Sequence, residues 1–244
     1  MEVAVISEKG MRPEMEDVHF LDTNFAGRGW TFAGIYDGHG GRFAAEYAAE
    51  RLHQVFSERL LSEFSPQEAF LESYEAISDE LKTQDSGTTA VTFLVKDGEI
   101  FTANAGDARA IVIGSEGCHQ LTVDHRLDNL AERQRIESMG GYIRIPYTCR
   151  GYQRLMPTRT IGDPYFKPVG IIATPSVSEH RISEGDLILL AACDGLFDVM
   201  TNEEVAGLAR KSPQPGTLLE LLKNEVLINR LSTDNLTIIA VSLR

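Results

Sequence analysis

Four aspartates stand where apolar runs end or begin. Asp37 closes Phe32-Ala33-Gly34-Ile35-Tyr36, and Asp194 closes the run from Leu187 to Cys193. Asp107 follows Phe101 to Gly106, and Asp234 immediately precedes Asn235 and the run from Leu236 to Val241. Runs of this composition read as buried strands, and a carboxylate at the end of one is costly unless it is paired, hydrogen-bonded or metal-bound. Several such carboxylates meeting at one sheet end would repel one another and raise one another's pKa. A hard divalent cation such as Mg²⁺ or Mn²⁺ removes the conflict, because it prefers oxygen ligands. Taken singly, each aspartate reads first as a turn cap, as Asp97-Gly98 does. The metal reading rests on the set.

Other residues join this set. Arg12 precedes Glu14, Glu16 and Asp17. A guanidinium offers a planar fork of donors that matches phosphate oxygens, and a solvated salt bridge is the plainer alternative. His39 lies in Asp37-Gly38-His39-Gly40-Gly41, beside a candidate ligand and among glycines that permit close backbone approach. No Gly-Lys-Ser/Thr follows, so this turn is not a P-loop. No cysteine sits in a phosphate loop followed by arginine, which disfavours a cysteine-nucleophile phosphatase. The remaining histidines have plainer readings: His19 packed on a strand, His53 on a helix, His119 and His180 solvated, and His125 hydrogen-bonded locally.

The elements that must position these groups fall into blocks. Glu2 to Ser7, Val18 to Thr23 and Trp30 to Tyr36 have strand length and composition. Phe43, Tyr47, Leu52, Val55, Phe56 and Leu60 mark one face of a helix. Ser65-Pro66-Gln67-Glu68 is a capping box that opens a second helix. Ala90 to Val95 and Glu99 to Asn104 flank a hairpin turn, and Arg109 to Ile113 and Cys118 to Leu121 continue the meander. A short helix is expected from Asn129 to Met139, stopped by Gly140-Gly141. Gly141 to Val169, with four prolines, reads as an irregular flap holding short strands. Strands at Ser176 to Ile182 and Asp186 to Ala192, helices at Asn202 to Arg210 and Thr217 to Asn229, and a strand at Leu236 to Leu243 complete the pattern. Strands joined directly by turns imply antiparallel sheets, and helix pairs set apart from strand runs imply α+β layers.

Composition narrows the classes. The 244 residues carry a formal charge of −13, with 43% apolar and 24% charged residues. This is the balance of a folded globular chain, not of a disordered one. The acid excess argues against binding nucleic acid or anionic membranes by charge. Three dispersed cysteines, Cys118, Cys149 and Cys193, favour a reducing, intracellular setting, cytoplasmic or nuclear, over a disulfide framework. No apolar run is long enough to span a membrane, and Met1 to Gly10 lacks an apolar signal core. Without a repeat, a low-complexity tract or a linker, residues 1–244 read as a single domain and a monomer.

With these residues laid out, the chain resembles the metal-dependent serine/threonine protein phosphatases of type 2C. Arg12 to Asp17 resembles the family's Arg-x-x-Met-Glu-Asp, and Asp37 to Gly41 matches Asp-Gly-His-Gly-Gly in full. Ser86 to Ala90, Ala105 to Ala110, Leu121 to His125, Arg135-Ile136 with Gly140-Gly141, Thr158 to Asp163, Cys193 to Val199 and Asp234 to Thr237 follow in family order. Departures are Ala108 for Ser, Thr158 and Thr160 around Arg159, and Arg126-Leu127 where a proline often follows the Asp-His pair.

The resemblance implies an α-β-β-α sandwich, two central antiparallel sheets with helix pairs outside. It also implies a catalytic domain that hydrolyses phosphoserine and phosphothreonine in proteins, using water activated between two Mn²⁺ or Mg²⁺ ions. Asp37 would bridge both ions, Asp194 and Asp234 would hold one, and Glu16 and the Gly38 carbonyl would serve the other. Asp107 and Asp198, with Asp194, match a weaker third site. Arg12 would grip phosphate and His39 would protonate the leaving oxygen. A catalytically silent relative acting as a scaffold, and another two-metal phosphoesterase, are the alternatives.

Overall fold

The computed structural model describes all 244 residues. The chain opens with β1 (Val3–Glu8), β2 (Val18–Phe25), β3 (Trp30–Tyr36) and the two-residue β4 (Gly38–His39). The helices α1 (Phe43–Leu61) and α2 (Pro66–Glu80) follow. Ser65 caps α2 as its sequence predicts: Glu68 N donates to Ser65 Oγ at 3.3 Å and Ser65 N donates to Glu68 Oε2 at 2.9 Å. Next come β5 (Gly87–Thr88), β6 (Ala90–Lys96), β7 (Glu99–Ala105), β8 (Arg109–Gly114), β9 (Cys118–Gln120) and α3 (Leu130–Ser138). The flap holds β10 (Tyr142–Arg144), β11 (Tyr147–Arg150), β12 (Gln153–Leu155) and β13 (Ile161–Gly162). The last block is β14 (Ser176–Arg181), β15 (Asp186–Ala192), α4 (Asp194–Phe197), α5 (Asn202–Lys211), α6 (Pro215–Asn224) and β16 (Leu236–Ser242).

Two antiparallel sheets of five strands each form the centre, ordered β1-β16-β15-β8-β9 and β14-β7-β6-β3-β2. Their strands are apolar at nearly every position because both faces are buried. Along β16, Ile239 and Val241 enter the core between the sheets, while Leu236, Ile238 and Ala240 face the helices. Ile35, Phe93 and Leu189 share the core between the sheets. Phe32, Phe56, Phe70 and Tyr74 seal α1 and α2 onto the second sheet, and Leu190, Val205, Leu218 and Leu222 seal α5 and α6 onto the first. This is the four-layer α-β-β-α sandwich that the family resemblance implies, and it has the antiparallel sheets and α+β layers read from the residues.

The flap is more regular than the proline count suggests. β10, β11 and β12 form a meander of their own, packed over Leu127, Ile136, Leu155, Phe166 and Ile171. Glu132 of α3 ties it down: the carboxylate is 2% exposed and lies 2.6 Å from both Arg135 Nη2 and Arg159 Nη2. The helix expected over Thr217 to Asn229 begins earlier, at Pro215, and gives way to a widened π turn over Glu225–Asn229. Pro at the first position starts it. Two histidines differ from expectation. His19 is exposed, because β2 is a sheet edge, and His180 is not simply solvated, since its Nε2 lies 2.9 Å from Asp186 Oδ2.

Candidate active site

The strand registers bring the candidate residues to one end of the sandwich. Val18, at the start of β2, faces Tyr36, at the end of β3, so Asp17 and Asp37 are neighbours. Ala192 at the end of β15 pairs with Ile238 near the start of β16 and with Arg109 at the start of β8. Asp194 and Asp234 therefore meet Asp107, which lies on the turn carrying the chain from the second sheet (β7) to the first (β8). Gly195 lets this happen: a Cβ there would sit 2.0 Å from the Asn235 carbonyl oxygen. Arg12, Glu16, Asp37, Gly38, His39, Asp107, Asp194 and Asp234 line one cleft of about 620 Å³, with Tyr147, Arg154 and Phe166 of the flap forming a wall. Asp198 does not line it; it borders the neighbouring groove beside Phe197 and Arg109.

The N-terminal loop is stitched to β16 by Asn235. Its Oδ1 accepts from Glu16 N at 2.9 Å, and its Nδ2 donates to the carbonyls of Lys9 and Glu14 at 2.7 and 3.1 Å. Glu16 Oε1 accepts from Gly41 N at 2.8 Å, which fixes that carboxylate toward the turn after Asp37. Arg12 Nη2 donates to Asp234 Oδ2 at 2.7 Å, with about half of the arginine side chain exposed. The salt-bridge reading of Arg12 is thus realised, at the mouth of the acidic cleft.

The carboxylates are electrostatically loaded. Burial pushes Asp37 well up, and Asp194, Asp17 and Asp107 add to the rise. Asp194 is likewise driven up by burial and then by Asp107, Asp198 and Asp234. Asp17 rises to about 6, chiefly through burial. Both Asp17 carboxylate oxygens are buried with no hydrogen-bond partner. Such a cluster needs protons or cations to stand together. In this arrangement no three of the acids close into a ligand cage. The donor set still fits hard divalent cations, being oxygen-only, anionic and partly unpartnered.

His39 is held by a second, smaller sheet, β13-β5-β4. His39 pairs with Gly87, and Gly87 with Gly162, so Asp163 arrives next to the imidazole. His39 Nε2 lies 2.7 Å from Asp163 Oδ2. Burial alone would lower the His39 pKa, but Asp163 outweighs it and the net direction is up. Gly87 cannot carry a side chain, because a Cβ would stand 2.0 Å from Asp163 Oδ2. Asp163 and Asn235 are site residues that the sequence displays only as motif members. Asp17 is another, and none of the three gave a separate chemical signal.

Comparison with known proteins agrees with this geometry. The family model described as protein phosphatase 2C matches residues 1–236. Protein phosphatase 2C 77 of Arabidopsis thaliana is 37% identical over 243 residues, which cover 85% of this chain and 57% of that protein. Protein phosphatase 2C homolog 1 of Saccharomyces cerevisiae is 29% identical, covering 99% of this chain and 92% of its own length. The chain therefore spans little more than half of the plant relative. The solved serine-threonine phosphatase 2C of Toxoplasma gondii superposes with a TM-score of 0.84 at 24% identity, covering 99% of this chain and 94% of that one. This last likeness concerns the fold.

Proposed function

The chain belongs to the protein phosphatase 2C family, and from that premise we propose that it hydrolyses phosphoserine and phosphothreonine monoesters of proteins with the help of Mn²⁺ or Mg²⁺. The observation that carries the reading is the cluster of buried, mutually repelling carboxylates from two sheets, lying in one cleft with Arg12 and His39. Asp37, Asp194, Asp234, Glu16 and the Gly38 carbonyl would hold two ions. Bound there, a metal pair supplies an acidified water and a positive field for phosphate oxygens.

The rest of the chemistry belongs to the chain. Arg12, already at the cleft mouth, exchanges part of its contact with Asp234 for non-bridging phosphate oxygens and offsets charge as it develops. Asp163 holds His39 at Nε2 and favours its protonated form, leaving Nδ1 to carry the proton that the leaving seryl or threonyl oxygen takes. The flap wall of Tyr147, Arg154 and Phe166 meets the polypeptide around the phosphoresidue.

Phosphate release from a phosphothreonine peptide, with Mn²⁺ and then with excess chelator, tests the reading. Metal-dependent release is expected. Folded, metal-loaded protein that releases none would point to the scaffold alternative.

A further inference from the structure

Arg126 stands in the loop between β9 and α3, directly after the Asp124-His125 pair. Its Nε donates to Asp107 Oδ2 at 2.8 Å and its Nη2 to Asp198 Oδ1 at 2.7 Å. The same Nη2 lies 3.6 Å from Asp194 Oδ2. These are the three carboxylates that the resemblance gives to a weaker third ion. A guanidinium and a divalent cation cannot both sit among them, because they need the same lone pairs and repel at contact.

The arginine is built into this place. On one side His125 N donates to the Gly106 carbonyl at 2.9 Å, and on the other Leu127 is buried in the flap core. The backbone that carries Arg126 is thus fixed on both sides, and its side chain is 26% exposed. The planar fork suits two acids that come from different elements, Asp107 on the β7–β8 turn and Asp198 at the end of α4. Asp107 is 2% exposed, so without the guanidinium it would be a buried charge beside Asp194 and Asp37. Asp198 lies outside the cleft that gathers the other acids, where it can serve the arginine and not the substrate.

We infer that Arg126 is the chain's own counter-ion for Asp107 and Asp198, and that it limits the centre to two metal ions by occupying the place of a third. The inference rests on the two-ion reading above. It makes Arg126 a positioning residue that fixes Asp107 and Asp198 and touches no substrate.

Counting Mn²⁺ ions bound to the whole chain, by equilibrium dialysis and calorimetry, tests it. Asp198→Asn is expected to bind as many ions as the wild type, since Asp198 serves Arg126. Arg126→Met is expected to bind one further ion, and Arg126→Met with Asp198→Asn to give that ion up again. A wild-type chain carrying an additional ion that Asp198→Asn removes would overturn the inference, and so would an Arg126→Met protein that binds no more than wild type. Asp198 is 43% exposed, so its variant is expected to fold, and its ion count tests the inference even where Arg126→Met does not fold. Phosphate release on the same samples reports on the activity separately, so loss of the phosphatase reading and loss of this inference look different.

Discussion

Asp37 and Asp194 carry the heaviest electrostatic load in the cleft, and they come from different sheets. Removing either charge should abolish phosphate release, because monoester hydrolysis needs far more acceleration than one acid can supply. His39→Ala should cost about 10²–10⁴-fold and leave a measurable rate, the usual reach of a general acid. Peptide kinetics on Asp37→Asn, Asp194→Asn and His39→Ala check the ranking, and a His39→Ala protein as dead as Asp37→Asn would contradict it. A second residue, His125, makes a pH prediction. It is buried and accepts from Gly106 N, and burial followed by Arg159 lowers its pKa from 6.5 to about 3. Below 6.5 the unfolded chain takes up a proton that the folded chain refuses until about 3. Stability should therefore fall as the pH drops through this window, by up to roughly 1.4 kcal/mol per pH unit. Urea unfolding at a series of pH values, with His125→Gln showing a flatter slope, is the measurement.

At the scale of elements, the three-stranded β13-β5-β4 sheet is small but decides where His39, the proposed proton donor, sits. Gly87→Ala should push Asp163 away from His39 while leaving Asp37, Asp194 and Asp234, the proposed metal-holding acids, in place. A loss of about 10²-fold is expected, the size typical of an ångström of misplacement. Mn²⁺ binding should be unchanged in the same protein, and a variant that lost both would refute this division. The strands and caps were legible because each carries a local signal: unbroken apolar runs for β3 and β16, Ser65 and Thr201 with their glutamates for α2 and α5. The acids at strand ends were legible for the same reason. The partnerships were not. Arg126 meets acids 19 and 72 residues away, and His39 meets Asp163 across 124 residues. No local pattern encodes such a distance. The exposure of His19 depended on β2 being an edge, which only the pairing of the whole sheet decides.

At the scale of the molecule, the cleft is a seam. Asp37 hangs from the second sheet, Asp194 and Asp234 from the first, and Asp107 from the turn between them. Cations bound at the seam would cancel a repulsion that otherwise pushes the two sheets' ends apart. Thermal unfolding should therefore move upward with Mn²⁺ and fall back with chelator. The gain is about 2.7 kcal/mol when the free ion stands at 100 times its dissociation constant. Calorimetric melting at several Mn²⁺ concentrations measures it, and a melting point indifferent to Mn²⁺ would argue against ions at this seam.

The sheet order also says what a cut would do. The flap turns at Gly151 and Tyr152, and Tyr152 is fully exposed, so a protease would find the chain there first. Everything after that point, including β15 and β16, belongs to the second fragment. Yet β16 lies between β1 and β15, and β15 between β16 and β8, so the later strands are wedged into a sheet made by the earlier ones. Neither piece can leave without breaking ladders on both of its sides. The nicked protein would travel as one body until denatured, a two-chain molecule whose halves each hold part of the same cleft.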